Sequence, residues 1–385
     1  MGNEVLNLYK PAQGRAEMVS ALAIGTIALL VLGLQPILLG GMVEARSATL
    51  GGMGVIAMSE IIALGCGVAL CDALMPLSPL RVIGIVAALW VSTLDVATMF
   101  SAGDAKLAAV RSLAGLGEGV LLWTTTCVIV RSHAPDRIAA IFLVSQTLAQ
   151  AALAAILAGA VVPRAGWQGG FMALAAVSLL PCLAVVWLPA GVAPLAEQAH
   201  AKFRWSAMVA LPLAIALLQM AAIGALWAYL EPLGRRAGFD AQAAQAVTSG
   251  VLLMQVLGGI SASLSVQRLA TVRTLIVGAL ALGAIPFAID RLPAGATTRF
   301  ALLCGLFGFA WLFLMPFHIS FAFRADPTGR VAMLIPAMQL LGSAFGPLVA
   351  SLMLHGNDPG PVPYVSLGFA VASMTLLCAG QVNAG

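Results

Sequence analysis

Charge is what this sequence lacks most. Only 9% of its 385 residues are Asp, Glu, Lys or Arg, against about a quarter in an ordinary soluble domain. That scarcity excludes a soluble globular fold of this length, because there is too little charge to cover its surface. Polar stretches are scarce as well: the longest, near Pro189 to Trp205, is a linker and leaves no room for a soluble domain. A net charge of +4 spread along the chain makes no basic stripe of the kind nucleic acid requires. Cys66, Cys71, Cys127, Cys182, Cys304 and Cys378 all fall in apolar runs. Without metal-type spacing they read as small hydrophobes, and no metal or other cofactor is expected. The G-x-x-x-x-G-K-[ST], H-E-x-x-H and G-x-S-x-G patterns are absent. Their absence excludes direct ATP drive within this chain and gives no support for an enzyme.

What is present is apolar. The hydrophobic share is 61% and the mean hydropathy is +1.02. Runs of about 18 or more apolar residues, each long enough to cross a bilayer, recur along the whole length. They are continuous and rich in Leu and Ala rather than alternating, which argues for helices over a membrane barrel. The pattern predicts an all-α polytopic protein with twelve transmembrane helices, near 18–43, 52–76, 80–101, 106–130, 138–162, 168–189, 206–231, 243–266, 272–289, 299–323, 331–354 and 363–381. The first run follows Lys10 and Arg15 but is too long for a signal-peptide core, so it reads as an uncleaved first helix.

Basic residues in short loops set the expected orientation. With the N-terminus cytoplasmic, eleven Lys and Arg fall on the inner side and seven on the outer, leaving only Arg111 within a span. Both termini are therefore expected on the cytoplasmic side of an inner membrane.

Internal similarity divides the chain. Pro135-Asp136-Arg137 before the fifth span resembles Pro327-Thr328-Gly329-Arg330 before the eleventh, a match that also lays Gln146 on Gln339 and Gly115 on Gly308. Leu34-Gln35-Pro36 matches Leu230-Glu231-Pro232. These pairs predict a duplicated unit: a six-helix half over 1–190, a cytoplasmic linker over 191–205 and a second half over 206–385. Transporters are commonly built from such halves, with the solute held between them.

One stretch stands out. Arg111-Ser-Leu-Ala-Gly115-Leu-Gly117-Glu118-Gly119 places two charges in a single span, where each costs at least ~2.5–3.5 kcal/mol. An arginine followed by glycines four, six and eight residues on resembles the fourth-helix motif of the major facilitator superfamily, and the resemblance extends over essentially the whole chain. That family's loop motif between helices two and three survives only as Leu70 and Asp72, with Arg81 further on; Val68, Ala73 and Met75 depart from it. The glycine-proline motif expected in helix five is missing, and Gly342-Ser-Ala-Phe-Gly346-Pro347 stands in the eleventh span instead. The resemblance implies two six-helix halves that rock about a central cavity, and a monomer in the bilayer. Its expected partners are a small organic solute and protons. Export of amphipathic or cationic compounds, and a receptor that binds without transport, are the alternatives.

Depth along each span sorts the polar residues into an outer layer of Arg111, Glu60, Asp95, Gln35 and Glu231 and an inner layer of Thr125, Gln146, His318 and Gln339. Glu118 falls between them, ~18 Å down. Membrane proton relays use carboxyls at such depth, so Glu118, with Glu60 and Arg111, is the expected proton-coupling set. Arg111 could equally be a counter-charge for an anionic solute or a permanent partner of Glu60. Asp95 reads as structural. Arg111, Gln35, Gln146, Trp227, Gln339 and His318 are the candidate solute contacts, although amides and a lone histidine also serve as helix-packing struts. Trp123, Trp311 and Tyr229 are further candidates for an apolar pocket or interfacial anchors.

Overall fold

The structure, a computed structural model, describes residues 14–192, 206–326, 330–354 and 356–382. Lys10, most of the expected linker with its Lys202 and Arg204, and Pro327-Thr328-Gly329 lie outside these residues. The described chain contains helices and no strand. In order they are α1 (Arg15–Glu44), α2 (Leu50–Leu74), α3 (Leu80–Met99), α4 (Asp104–Ile129), α5 (Pro135–Ile156, continued by the π-helical Leu157–Val161) and α6 (Val162–Val177, then Leu180–Ala184 and a 3-10 turn). The second set is α7 (Ala207–Ala228, then Leu230–Arg236), α8 (Ala241–Ser265), α9 (Thr271–Asp290), α10 (Thr297–Ala325), α11 (Arg330–Met353) and α12 (Val362–Val382).

Helices α5 and α6 run together as one apolar stretch, Arg137–Trp187, of 51 residues. At 1.5 Å per residue a straight helix of that length would reach ~77 Å, more than twice a hydrocarbon core of ~30 Å. Gly166 resolves the excess. Its φ of 64° and ψ of −170° lie outside any helix, a conformation only glycine adopts readily. The chain turns back there, and Trp167 and Gly170 pack on Gly41 and Leu38 of α1. Counted this way, the twelve crossings expected from the sequence are present.

In hydrocarbon, apolar helices have no solvent-driven reason to associate, so close packing at small residues and polar links must join them. The pairing of α2 with α4 is the most extensive in the molecule. Gly115 and Gly119 lie against the Glu60 and Leu64 carbonyls of α2, and Gly67 lies against the Leu116 carbonyl of α4. Gly117 points elsewhere, beneath Trp90 and Val91 of α3, with 2.7 and 2.8 Å left for any Cβ. The second half repeats the device. Gly308 of α10 meets the Val251 carbonyl of α8, and Gly258 of α8 meets the Phe309 carbonyl of α10. Gly342 and Gly346 do the same for α11 against α7, where Gly346 crowds the Ala221 carbonyl and the Ala225 amide. The glycine-proline motif of α11 therefore forms a packing seam.

The two sets meet along α2 with α11 and α5 with α8. On the side of the membrane opposite the described chain ends (the distal side), Gly51 and Gly54 of α2 lie against Ser351 and Pro347 of α11. Arg235 of α7 there reaches Glu44 of α1 at 3.5 Å. One link is written in the backbone. Pro36 has no N–H, so the carbonyl four residues earlier loses its helical donor. That carbonyl, on Leu32, accepts instead from the Trp227 indole N–H of the other half at 2.9 Å.

Replacing Gly119 by valine forces a Cβ into backbone atoms of α2 and should cost about 1–3 kcal/mol. The same change at Gly250, which has nothing within 4 Å, should leave the thermal midpoint of the purified protein unchanged. Equal midpoints for the two variants would rule out the seam as a determinant of packing.

Candidate functional site

Arg111 is 0% exposed, and every face of its guanidinium is used. Nε donates to Glu60 Oε1 at 2.7 Å, and Nη2 donates to the same oxygen. Nη1 donates to Asp95 Oδ1 at 2.7 Å and lies 3.5 Å from the Thr98 hydroxyl. Nη2 also reaches Glu118 Oε1 at 3.2 Å. The plane sits over the Phe171 ring of α6, 5.1 Å from its centre. Asp95 accepts in addition from the Ser178 hydroxyl of α6 at 3.1 Å, and Gln35 of α1 lies beside Glu60. One side chain thus joins α2, α3, α4 and α6, with α1 alongside.

Backbone geometry explains how α4 reaches so many partners. Arg111 and Glu118 are nearly two turns apart on one face, a rise of ~10 Å, and the long arginine bridges it. The α2–α4 seam is what brings Glu60 within reach. All three carboxyl residues and the arginine have side chains at most 4% exposed. Fully ionised, the group would carry one positive and three negative charges in a medium where each unbalanced ion costs several kcal/mol. Glu118 Oε2 is buried with no hydrogen-bond partner, so the acid read as standing by itself between two polar layers is the open end of a four-residue cluster. Asp95, read as structural, is a direct partner of Arg111.

The second half lacks this cluster. Superposing the glycine contacts (Gly115 over Glu60, Gly308 over Val251; Gly67 over Leu116, Gly258 over Phe309) makes Glu60 equivalent to Val251. By the same register Cys304 stands for Arg111 and Trp311 for Glu118. Trp311 packs edge-on against Trp227, with ring centres 5.3 Å apart.

His318 and Gln339 are brought together, along with Gln219, which the sequence reading passed over. The Gln339 amide faces His318 Nδ1 at 3.1 Å, His318 Nε2 faces the Gln219 carbonyl oxygen at 2.9 Å, and Gln219 donates to the Leu275 carbonyl at 3.0 Å. The chain closes with a neutral imidazole protonated on Nε2 and ties α7, α9, α10 and α11. Gln150, also passed over, donates to the Leu29 carbonyl at 2.6 Å, where α1 is interrupted. Gln219 and Gln150 carried the same signal as Gln146 and Gln339, an amide within an apolar run. Thr125 donates to the Ala21 carbonyl at 2.7 Å, an α1–α4 strut.

Among the other candidates, Gln35 Nε2, Gln146 Oε1, Tyr229 Oη and Trp123 Nε1 are buried polar atoms without partners, and so are Thr248 Oγ1 and Gln255 Nε2, two residues not expected at the site. All but Trp123 belong to α1, α5, α7 and α8, helices with contacts across the two halves. Glu231 lies against Gly40 of α1, away from Arg111. Asp72 is exposed at the end of α2.

Compared with known protein families and with curated proteins, the sequence matches none. Solved structures do match. The nucleoside transporter NupG is 13% identical, covers 94% of this chain and 99% of its own, and has a TM-score of 0.74. A partially occluded, inward-open form of the xylose transporter XylE from E. coli is 13% identical over 94% and 99%, with a TM-score of 0.67. A D-xylose-proton symporter is 14% identical over 94% and 97%, with a TM-score of 0.70. These likenesses define the architecture: the chain has the major facilitator fold and is a multi-pass membrane protein.

Replacing Arg111 by glutamine leaves three buried acids facing one another and should destabilise the first half by about 3–5 kcal/mol. Adding Glu60→Gln and Asp95→Asn to that variant should recover much of the loss, read as thermal midpoint in detergent. A wild-type midpoint for R111Q would contradict the arrangement.

Proposed function

We propose that this protein is a secondary transporter, moving a small organic solute across the inner membrane by alternating access of two six-helix halves and coupling that movement to protons. The observation that carries the reading is the charge imbalance at Arg111. One guanidinium serves three carboxyls in a dry interior, and protons are the charge carriers that balance it. Glu118 is the residue proposed to exchange them, since one of its oxygens is buried and unpartnered. Glu60 and Asp95 share Arg111 with it, so a proton gained or lost at Glu118 alters how tightly Arg111 holds α2 and α3. That change is the proposed link between protonation and rocking.

Solute binding is assigned to the interface between the halves. Gln35, Gln146 and Gln255 have unpaired amide atoms, and the Trp227–Trp311 pair offers a flat apolar face. Amides that exchange hydrogen bonds with hydroxyls, beside an indole surface, suit a neutral, hydroxyl-rich solute. The nucleoside and xylose carriers of the same fold are consistent with that class. With Arg111 enclosed by its own acids, an anionic solute is less favoured than the sequence alone implied. His318 and Gln339 are assigned to helix packing, because their hydrogen bonds are already used within the second half. The protein acts as a monomer in this scheme, with both termini cytoplasmic and no catalysed chemistry.

Uptake into proteoliposomes, screened over sugars, nucleosides, organic anions and organic cations with and without a pH gradient, tests the assignment. For the solute that accumulates, Glu118→Gln should abolish gradient-driven accumulation while preserving exchange of labelled for unlabelled solute. Wild-type accumulation by E118Q would overturn the proton role.

A further inference from the structure

A groove of about 1180 Å³ opens on the distal side of the second half, between α12 and the ends of α7, α9 and α11. It lies apart from Arg111 and from the Gln35–Gln146 interface. Its composition is graded from end to end. At the membrane surface stand Arg236, Asp290, Arg291 and Asp358, with Tyr364 donating to Asp290 at 2.6 Å. Arg236 lies 3.7 Å from Asp290 and 3.9 Å from Asp358. Deeper in, the walls are apolar: Leu218, Val349, Val365, Phe369 and Ala372. From Pro361 to Ala372 the groove follows α12 for ~16 Å, about half a hydrocarbon core of ~30 Å. Gly368 leaves open space in its wall, with nothing within 4 Å of a built Cβ.

We propose that this groove is a binding site for a phospholipid of the distal leaflet whose head group carries a primary ammonium. The charged rim matches the depth of a head group, and the apolar trough matches one acyl chain of a single leaflet. Charge complementarity selects the head group. Arg291 and Asp358 are each 66% exposed and form the open edge of the rim network, Arg291 lying 3.7 Å from Asp290 and Asp358 accepting from the Gly360 N–H at 3.0 Å, so each keeps donors or acceptors turned outward. The phosphate pairs with Arg291 and Arg236, and the ammonium donates to Asp358. A glycerol head group offers Asp358 only neutral hydroxyls, without a positive charge to pair with it, and a quaternary ammonium has no N–H to donate. Asp290 is 11% exposed beneath Tyr364 and both arginines, whereas Asp358 is 66% exposed, so Asp358 is the residue that discriminates.

The test is native mass spectrometry of the purified full-length protein, incubated in mild detergent with equimolar phosphatidylethanolamine, phosphatidylcholine and phosphatidylglycerol. The wild type should retain the ethanolamine lipid in preference to the other two. Asp358→Asn should cut that preference about fivefold, the scale of one interfacial charge contact. Gly368→Trp, whose Cβ meets nothing within 4 Å and whose ring occupies the trough against its apolar walls, should abolish retention while the protein keeps its thermal midpoint. Equal retention of the three lipids by the wild type would overturn the head-group assignment, and undiminished retention by G368W would overturn the site.

Discussion

A single guanidinium shared by three carboxyls, out of reach of water, is the interaction on which the first half of this molecule depends. Any of the four charges placed there by itself would be costly, and together they still do not cancel. Their mutual hydrogen bonds make the arrangement tolerable. The glycine seam between α2 and α4 is a precondition, since Glu60 reaches Arg111 only because Gly115 lets the two backbones touch. Phe171 and Ser178 extend the cluster into α6. Packing and electrostatics here are one design: small residues bring helices close, and the arginine locks what they bring.

The two halves share a scaffold and differ in chemistry. Matching glycine-to-carbonyl contacts recur in α2–α4 and α8–α10. At the positions equivalent to Glu60, Arg111 and Glu118, however, the second half has Val251, Cys304 and Trp311. Its buried polar chain is the uncharged Gln339–His318–Gln219 relay. The first half is therefore held by buried charge, and the second by aromatic and amide contacts. Between them, the carbonyl freed by Pro36 receives the Trp227 indole, a bond whose acceptor exists because proline has no N–H.

Much of this was legible in the residues, and the failures have physical causes. Span number and the two six-helix halves follow from hydropathy and internal spacing, and the placement of Arg111 and Glu118 inside one span follows from the length of its apolar run. Sorting polar residues by depth separated Glu118 from Arg111, because depth locates the backbone while long side chains close a gap of ~10 Å. Asp95 shares the outer layer with Arg111 and reads as structural, but helical periodicity does not show which neighbouring helix its face meets, so its pairing with Arg111 comes from the packing of α3 on α4. Gln219 and Gln150 looked like any other amides in an apolar run. Only the packing of α7 on α10, and of α5 on α1, gave them partners.

By itself the sequence determined that the chain must live in a bilayer as helices, since its charge is too sparse for water and backbone polar groups in lipid must be satisfied within each segment. It also determined where flexible and small residues fall, and so which helices can touch. The tertiary structure decided the partners: that Arg111 holds Asp95 as well as Glu60, and that Glu118 is the cluster's open end. It decided too that His318 is spoken for by two amides. Those outcomes depend on how the helices of each half stand around one another, a relation set by contacts far apart in the chain and absent from any single span.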